Sequence, residues 1–304
     1  MRDSDDILLR DPIIIIGAPR SGTTLLGEVL QHHPDLAYVE EPRLTWRIGN
    51  DSKSDMLRPR DARPEVRTQI RSAFADLIRA QGRPRLLEKT PSNSLRMGFV
   101  DTIFPDCRFV HILRNGVDSV LSIRWYWLDQ SNGINPAKLS QRLKEIKWRQ
   151  MPHYAKEFLR RVMPDATAPV LGRKIWGPRI PAIDSLLLDL DLLEVCCLQW
   201  RMCVEAACHY GRRLPAHRYM EVRLEDMSPG TMRTLFDFCG LRDDPTVIAK
   251  FNKQFDPALA GARRARADES DVDQILQWIE PTMRWLGYLN EAPGDPRTMR
   301  SPQR

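Results

Sequence analysis

Pro12-Ile13-Ile14-Ile15-Ile16-Gly17 constrains this chain more than any other stretch, because four consecutive β-branched residues end there on a glycine. Such a run has no polar face, so it predicts a strand buried on both sides within a parallel sheet. A glycine-containing loop to Thr24 follows at once, and Leu25, Leu26, Val29 and Leu30 then recur at helical spacing over Thr24 to His33. Strand, loop and helix open a βαβ unit. Further strands are predicted at Ala37 to Val39, Arg85 to Glu88, Arg108 to Leu113 and His217 to Leu224, alternating with helices at Glu65 to Gln81, Ser94 to Phe104, Val117 to Asp129 and Asp271 to Trp285. That alternation predicts an α/β fold of three layers, with a central, mainly parallel sheet flanked by helices.

A chain of 304 residues buries a full core as one large domain. The expected division is an N-terminal segment over 1–11, a domain over 12–292 with a largely helical insertion at about 130–215, and a flexible Pro-rich tail over 293–304. Ile13 to Ile16 is too short to span a membrane, so no transmembrane segment is expected. Four of the six cysteines, Cys196, Cys197, Cys203 and Cys208, fall on one amphipathic stretch. Neighbours on one helix are badly placed for disulfides, and no Cys-x-x-Cys pair accompanies them, so they read as core residues in a reducing, cytoplasmic setting.

With 46 basic against 40 acidic residues the surface is mixed in sign, which suits a small anionic ligand as well as a polyanion. Nucleic acid is not expected as a partner, since Arg263-Arg264-Ala265-Arg266 is short and no nucleic-acid motif accompanies it. Gly17-Ala18-Pro19-Arg20-Ser21-Gly22-Thr23-Thr24 has the glycine spacing of a P-loop, yet Thr23 stands where the nucleotide-hydrolysing lysine belongs. A kinase or hydrolase relies on that lysine, so this alternative is weakened. The backbone N–H groups of Ser21 to Leu25, with the hydroxyls of Ser21, Thr23 and Thr24, form an anion cradle that needs no metal, and Arg20 supplies charge. A plain Ser/Thr-rich turn is the bland reading of the same residues. Arg114, at the end of a predicted central strand, and Ser122, two helical turns on, are placed to face one further phosphate.

These residues carry a family resemblance. Pro19-Arg20-Ser21-Gly22-Thr23-Thr24-Leu25 resembles the 5′-phosphosulfate loop of sulfotransferases that use PAPS, 3′-phosphoadenosine 5′-phosphosulfate. Arg108-Phe109-Val110-His111-Ile112-Leu113-Arg114-Asn115, continued to Ser122, resembles that family's 3′-phosphate strand, loop and helix. Weaker similarity runs through Glu88-Lys89-Thr90-Pro91, Tyr219 to Met227 and Trp285-Leu286-Gly287-Tyr288. The resemblance implies a P-loop-like fold, PAPS as donor co-substrate, no metal, and a hydroxyl-bearing acceptor such as a carbohydrate, lipid or other small molecule. It implies donor binding by Arg20, Ser21, Gly22, Thr23, Thr24, Leu25, Arg114 and Ser122.

Val39-Glu40-Glu41-Pro42-Arg43 resembles the segment that holds a glutamate in the bacterial and tyrosylprotein branches. Glu41 is therefore the implied general base, with Glu40 as fallback, because a hydroxyl attacks well only when its proton has an acceptor. Lys89 and Arg20 are the implied catalytic cations, while Arg43 and, less specifically, Arg47 sit where they would meet the acceptor. His111, in a strand body, reads as a core residue. Leu224 departs from the family pattern, which has tyrosine there, and Arg263 and Arg264 stand as weak substitutes for the family's C-terminal donor contacts. Trp125, Tyr126, Trp127, Trp148 and Trp176 suit an acceptor pocket and core packing about equally. A kinase or hydrolase, and a non-catalytic nucleotide-binding module, remain the alternatives.

Overall fold

The computed structural model describes residues 7–131 and 175–289. Five strands, β1 (Ile13–Gly17), β2 (Leu36–Glu40), β3 (Arg85–Lys89), β4 (Arg108–Leu113) and β5 (Tyr219–Arg223), form one all-parallel sheet in the order β2-β3-β1-β4-β5. β1 lies at its centre, with Ile13 opposite both Leu87 and Arg108. Ile13 to Ile16 are all 0% exposed because helices cover both faces. Alternation sends Ile14 and Ile16 into one core with Trp46, Phe74, Phe99 and Phe104, and Ile13 and Ile15 into another with Leu26, Val29, Met232 and Phe236.

The helices are α1 (Thr23–Leu30), α2 (Arg43–Trp46), α3 (Pro64–Gln81), α4 (Met97–Ile103), α5 (Gly116–Ser131), α6 (Ile183–Asp189), α7 (Leu192–Gly211), α8 (Pro229–Cys239), α9 (Pro245–Gln254) and α10 (Glu269–Trp285). α7 packs with α5 and α10 in a third core that takes in Cys196, Cys197, Cys203 and Cys208. All six cysteines are free and buried. The expected helix at Ser94 begins instead as a 3-10 turn over Pro91–Arg96, and α4 starts at Met97. Trp148, much of the segment at 130–215 and the tail at 293–304 lie outside the described residues. Among the described residues no helix is long and apolar enough to cross a membrane.

The strand order positions the site. From β1 the chain crosses to β2 and β3 on one side, then to β4 and β5 on the other, which opens a crevice at the strands' C-terminal ends. Gly17, Glu40, Lys89 and Arg114 all stand at that edge.

Ile15→Ala should lower unfolding free energy by about 2–5 kcal/mol, the range for a truncated core aliphatic residue. Urea unfolding of both proteins measures it, with the midpoint falling and the slope unchanged.

Candidate active site

Gly17 ends β1 where a Cβ would stand 2.6 Å from the Ile112 carbonyl oxygen and 2.5 Å from Ser21 Oγ, so only glycine fits. Its N–H donates to Ser94 Oγ at 3.0 Å, fixing the loop's origin to the turn after β3. The loop tightens as Ser21 Oγ donates to the Ala18 carbonyl at 2.7 Å. Gly22, at φ 99°, then reverses the chain into α1, which starts without a side-chain cap. The N–H groups of Thr23, Thr24 and Leu25 therefore face the crevice as donors at the positive end of a helix. Leu224 packs beside Gly22, at 2.6 Å from where its Cβ would be, so leucine in place of the family's tyrosine puts an aliphatic wall against the loop.

Lys89 links this loop to two carboxylates. Its Nζ donates to Thr24 Oγ1 at 3.0 Å, Glu40 Oε1 at 2.9 Å and Glu41 Oε1 at 3.0 Å, using all three ammonium protons. Lys89 is 0% exposed, whereas Glu40 is 49% exposed. The Glu41 N–H donates to the Lys89 carbonyl at 2.8 Å, and Arg43 holds Glu41 Oε2 through Nε at 3.0 Å and through Nη2. Burial pushes the Glu41 carboxyl up, but Arg43 and Lys89 outweigh it and the net pKa falls to about 2. Arg20 and Glu41 both have left-handed backbone, at φ 67° and 46°, which non-glycine residues adopt only where the surroundings hold them.

A second basic wall lies across the cleft. Arg20 donates from Nε to Ser122 Oγ at 3.2 Å and lies over the Tyr126 ring. Arg114 donates to the Arg20 carbonyl at 3.0 Å and to the Ala260 carbonyl at 2.9 Å. Those bonds, and Arg264 N–H on Asp118 Oδ1 at 3.0 Å, draw the 260–266 loop over α5. A cleft of about 780 Å³ results, lined by Arg20, Arg114, Ser122, Trp125, Arg263 and Arg266 among others. Arg263 stacks on Trp125 at 4.7 Å. So many guanidinium groups around one cleft suit a polyphosphorylated ligand.

A model of the sulfotransferase family matches residues 12–175, more than half of the chain. The chain belongs to the sulfotransferase family. Among curated relatives, Nodulation protein NoeE of Sinorhizobium fredii is 28% identical over 129 residues, covering 37% of this chain and 31% of that protein. The Drosophila melanogaster Protein-tyrosine sulfotransferase is 34% identical over 125 residues, covering 37% of this chain and 25% of that protein. The chain thus spans about a third or less of these relatives' length. The solved structure of sulfotransferase STF9 from Mycobacterium avium covers 91% of this chain and 77% of its own at 12% identity, with a TM-score of 0.49.

The structure brings Arg20, Ser21, Gly22, Thr23, Thr24, Leu25, Glu41, Arg43 and Lys89 to one strand edge and sets Arg114 and Ser122 beside them. Arg47 is not with them. It is 8% exposed and donates to Asp55 at 3.1 Å, in a buried cluster that includes Arg96, so it faces no acceptor. Tyr126 and Trp127 pack on Trp176, whereas half-exposed Trp125 lines the cleft. Arg263 and Arg266 belong to the cleft more fully than the sequence reading allowed; the Arg263–Arg266 run was their signal. His111 is 0% exposed, and burial lowers its pKa to about 4. His111, Cys208 and Glu221 gather as a set of metal-ligand types, but the Tyr219 hydroxyl sits among them, 2.7 Å from His111 Nδ1 and 2.9 Å from Glu221 Oε1. Arg212 already pairs with Glu221 through two hydrogen bonds, and His111 Nε2 is the atom of the set left without a partner among the described residues.

Because the folded pKa of Glu41 lies below its ordinary 4.5, the stability it contributes is complete above that value and lost as pH falls toward about 2. A shift of that size corresponds to on the order of 3 kcal/mol. Glu41→Gln should therefore show a shallower loss of stability than the parent between those pH values, measured by urea unfolding at each pH.

Proposed function

We propose that the chain transfers a sulfuryl group from PAPS to an acceptor hydroxyl on a carbohydrate, lipid or other small molecule. The observation that carries this reading is Lys89 Nζ, which bridges the phosphate loop at Thr24 and the carboxylate of Glu41. One cation therefore touches both halves of a group transfer. The 5′-phosphosulfate lies on the N–H groups that open α1, and the 3′-phosphate lies toward Arg114, Ser122 and Arg263.

The acceptor oxygen attacks sulfur as the bond from sulfur to the 5′-phosphate oxygen breaks, and PAP leaves with the bonding electrons. Charge gathers on that leaving oxygen, where Arg20 and the helix N-terminus stabilise it. The acceptor proton passes to Glu41. A carboxylate of pKa about 2 is a feeble base. The sulfuryl oxygens compete for Lys89, and as its hold on Glu41 loosens, burial raises the carboxyl toward a useful basicity. Arg43 remains on the far oxygen and keeps the carboxylate aimed.

The kinase or hydrolase reading lacks its loop lysine, since Thr23 occupies that place and Lys89 reaches in from β3 toward the acceptor side instead. The resemblance to enzymes named for protein tyrosine extends the acceptor class to phenolic hydroxyls. Six buried thiols suit a reducing compartment, and a cytoplasmic location is part of the same proposal.

Calorimetry should find PAP bound without added metal and more tightly than ATP or ADP. Arg114→Ala should weaken PAP by about tenfold to a hundredfold, as expected for a charge-assisted hydrogen-bond pair, and Ser122→Ala by less. Preference for ATP with Mg²⁺, indifferent to Arg114, would return the chain to the kinase reading.

A further inference from the structure

Glu88 precedes Lys89 on β3, points to the opposite face of the sheet and is 0% exposed. Its Oε1 accepts from Trp46 Nε1 at 2.9 Å and from Thr90 Oγ1, and its Oε2 accepts from Asn93 Nδ2 at 3.0 Å. Each partner belongs to a segment that carries part of the site. Trp46 ends α2, the helix that begins at Arg43 directly after Glu41, and it is wedged between Phe74 and Phe104. Thr90 and Asn93 belong to the turn that follows Lys89, and Ser94 of the same turn holds the N–H of Gly17 at the root of the phosphate loop. One buried carboxylate therefore ties together the chain on either side of Lys89, the helix behind Glu41 and, through Ser94, the anion loop. Burial raises its pKa to about 7, and an apolar side chain here would leave three buried donors without their acceptor.

We propose that Glu88 is a positioning residue that sets the placement of Glu41 against Lys89 through its bonds to Trp46, Thr90 and Asn93. The inference rests on the sulfotransferase reading for its catalytic meaning, though not for its geometry. Glu88 touches neither donor nor acceptor and acts through the segments it fastens.

The hydrogen-bond polarity makes the claim specific. Asn93 Oδ1 accepts from Arg96 Nε at 2.7 Å, so its amide cannot flip without setting two donors against each other. Gln in place of Glu88 keeps the shape but puts an NH₂ group against Asn93 Nδ2, and the flipped amide puts it against the Trp46 N–H, while the Thr90 hydroxyl can turn to accept. Asn93→Asp supplies the matching acceptor for that NH₂ while its other oxygen keeps Arg96. Glu88→Gln should thus loosen the segments, and Glu88→Gln/Asn93→Asp should restore them.

The readout is the Glu41 carboxyl, followed by ¹³C NMR of glutamate-labelled protein and assigned by its loss in Glu41→Gln. The charged groups around it are Arg43 and Lys89 in contact, with Glu40 sharing Lys89 and Arg20 nearby. The comparison is made at about pH 8.5, above the Glu88 pKa of about 7, where the parent carboxylate is ionised and accepts all three bonds. The Glu41 carboxyl resonance should move from its parent position in Glu88→Gln and return to it in the double variant. A thermal melt on each sample separates this from simple destabilisation. A lower melting temperature with Glu41 unmoved, or a shift in Glu88→Gln that Asn93→Asp fails to reverse, would overturn the proposal. PAP calorimetry on the same samples keeps the two ideas apart. If the parent binds no PAP, the sulfotransferase reading fails, while the Glu41 pattern still decides the role of Glu88.

Discussion

A lysine with no solvent exposure must have its charge answered within the fold, and the three bonds of Lys89 organise the surrounding site. Thr24 brings the phosphate loop to it, Glu40 and Glu41 bring the end of β2, and its own carbonyl accepts the Glu41 N–H. The parallel pairing of β2 with β3 makes the arrangement local, because Glu40 stands opposite Lys89 in the register. β1 pairs with β3 on the other side, so the loop that follows it rises beside the same lysine. Three neighbouring strands thus end on one ammonium group, which is a direct consequence of the order β2-β3-β1.

The resting arrangement favours stability over reactivity. Two cations hold Glu41 well below the usual carboxylate range, and its left-handed backbone is held by the bond to Lys89 and by the short helix behind it. A carboxylate so restrained gains basicity only when something competes for its partners. In the proposed reaction an anionic donor at the mouth of α1 is such a competitor, and it would couple donor binding to acceptor activation.

Most of the architecture was legible because β1 and most of β4 are apolar and the loop glycine at Gly17 is sterically compelled. β4 and the centre of β1 fall where the hydrophobic runs predict them, and the turn from β1 into α1 falls at the glycine-spaced loop. Other features depended on contacts that a linear reading does not reveal. α8 and α9 carry plain start signals, Ser228-Pro229 and Asp244-Pro245, and α8 stops at Gly240, yet their short amphipathic runs escaped notice. Lys89 stands out in the sequence through the family resemblance alone, because nothing local shows that two carboxylates and a threonine from other elements would enclose it. Arg47 was misjudged for the converse reason. Its partner Asp55 lies in a loop whose burial is set by tertiary packing, and the Arg47–Asp55–Arg96 cluster is closed off behind α2. The 260–266 loop gains its meaning from bonds to Arg114 and Asp118, more than 140 residues earlier.

The central claim is that Glu41 receives the proton of an attacking hydroxyl while Lys89 holds the group being transferred. The most direct test follows ³⁵S from labelled PAPS into a panel of sugar, lipid and phenolic hydroxyls, comparing the parent with Glu41→Gln at saturating donor. The account predicts transfer by the parent and a loss of about two to four powers of ten in turnover for the variant, as for removal of a positioned base. A loss smaller than about tenfold, with transfer intact in the parent, would contradict it and move the proton to another group.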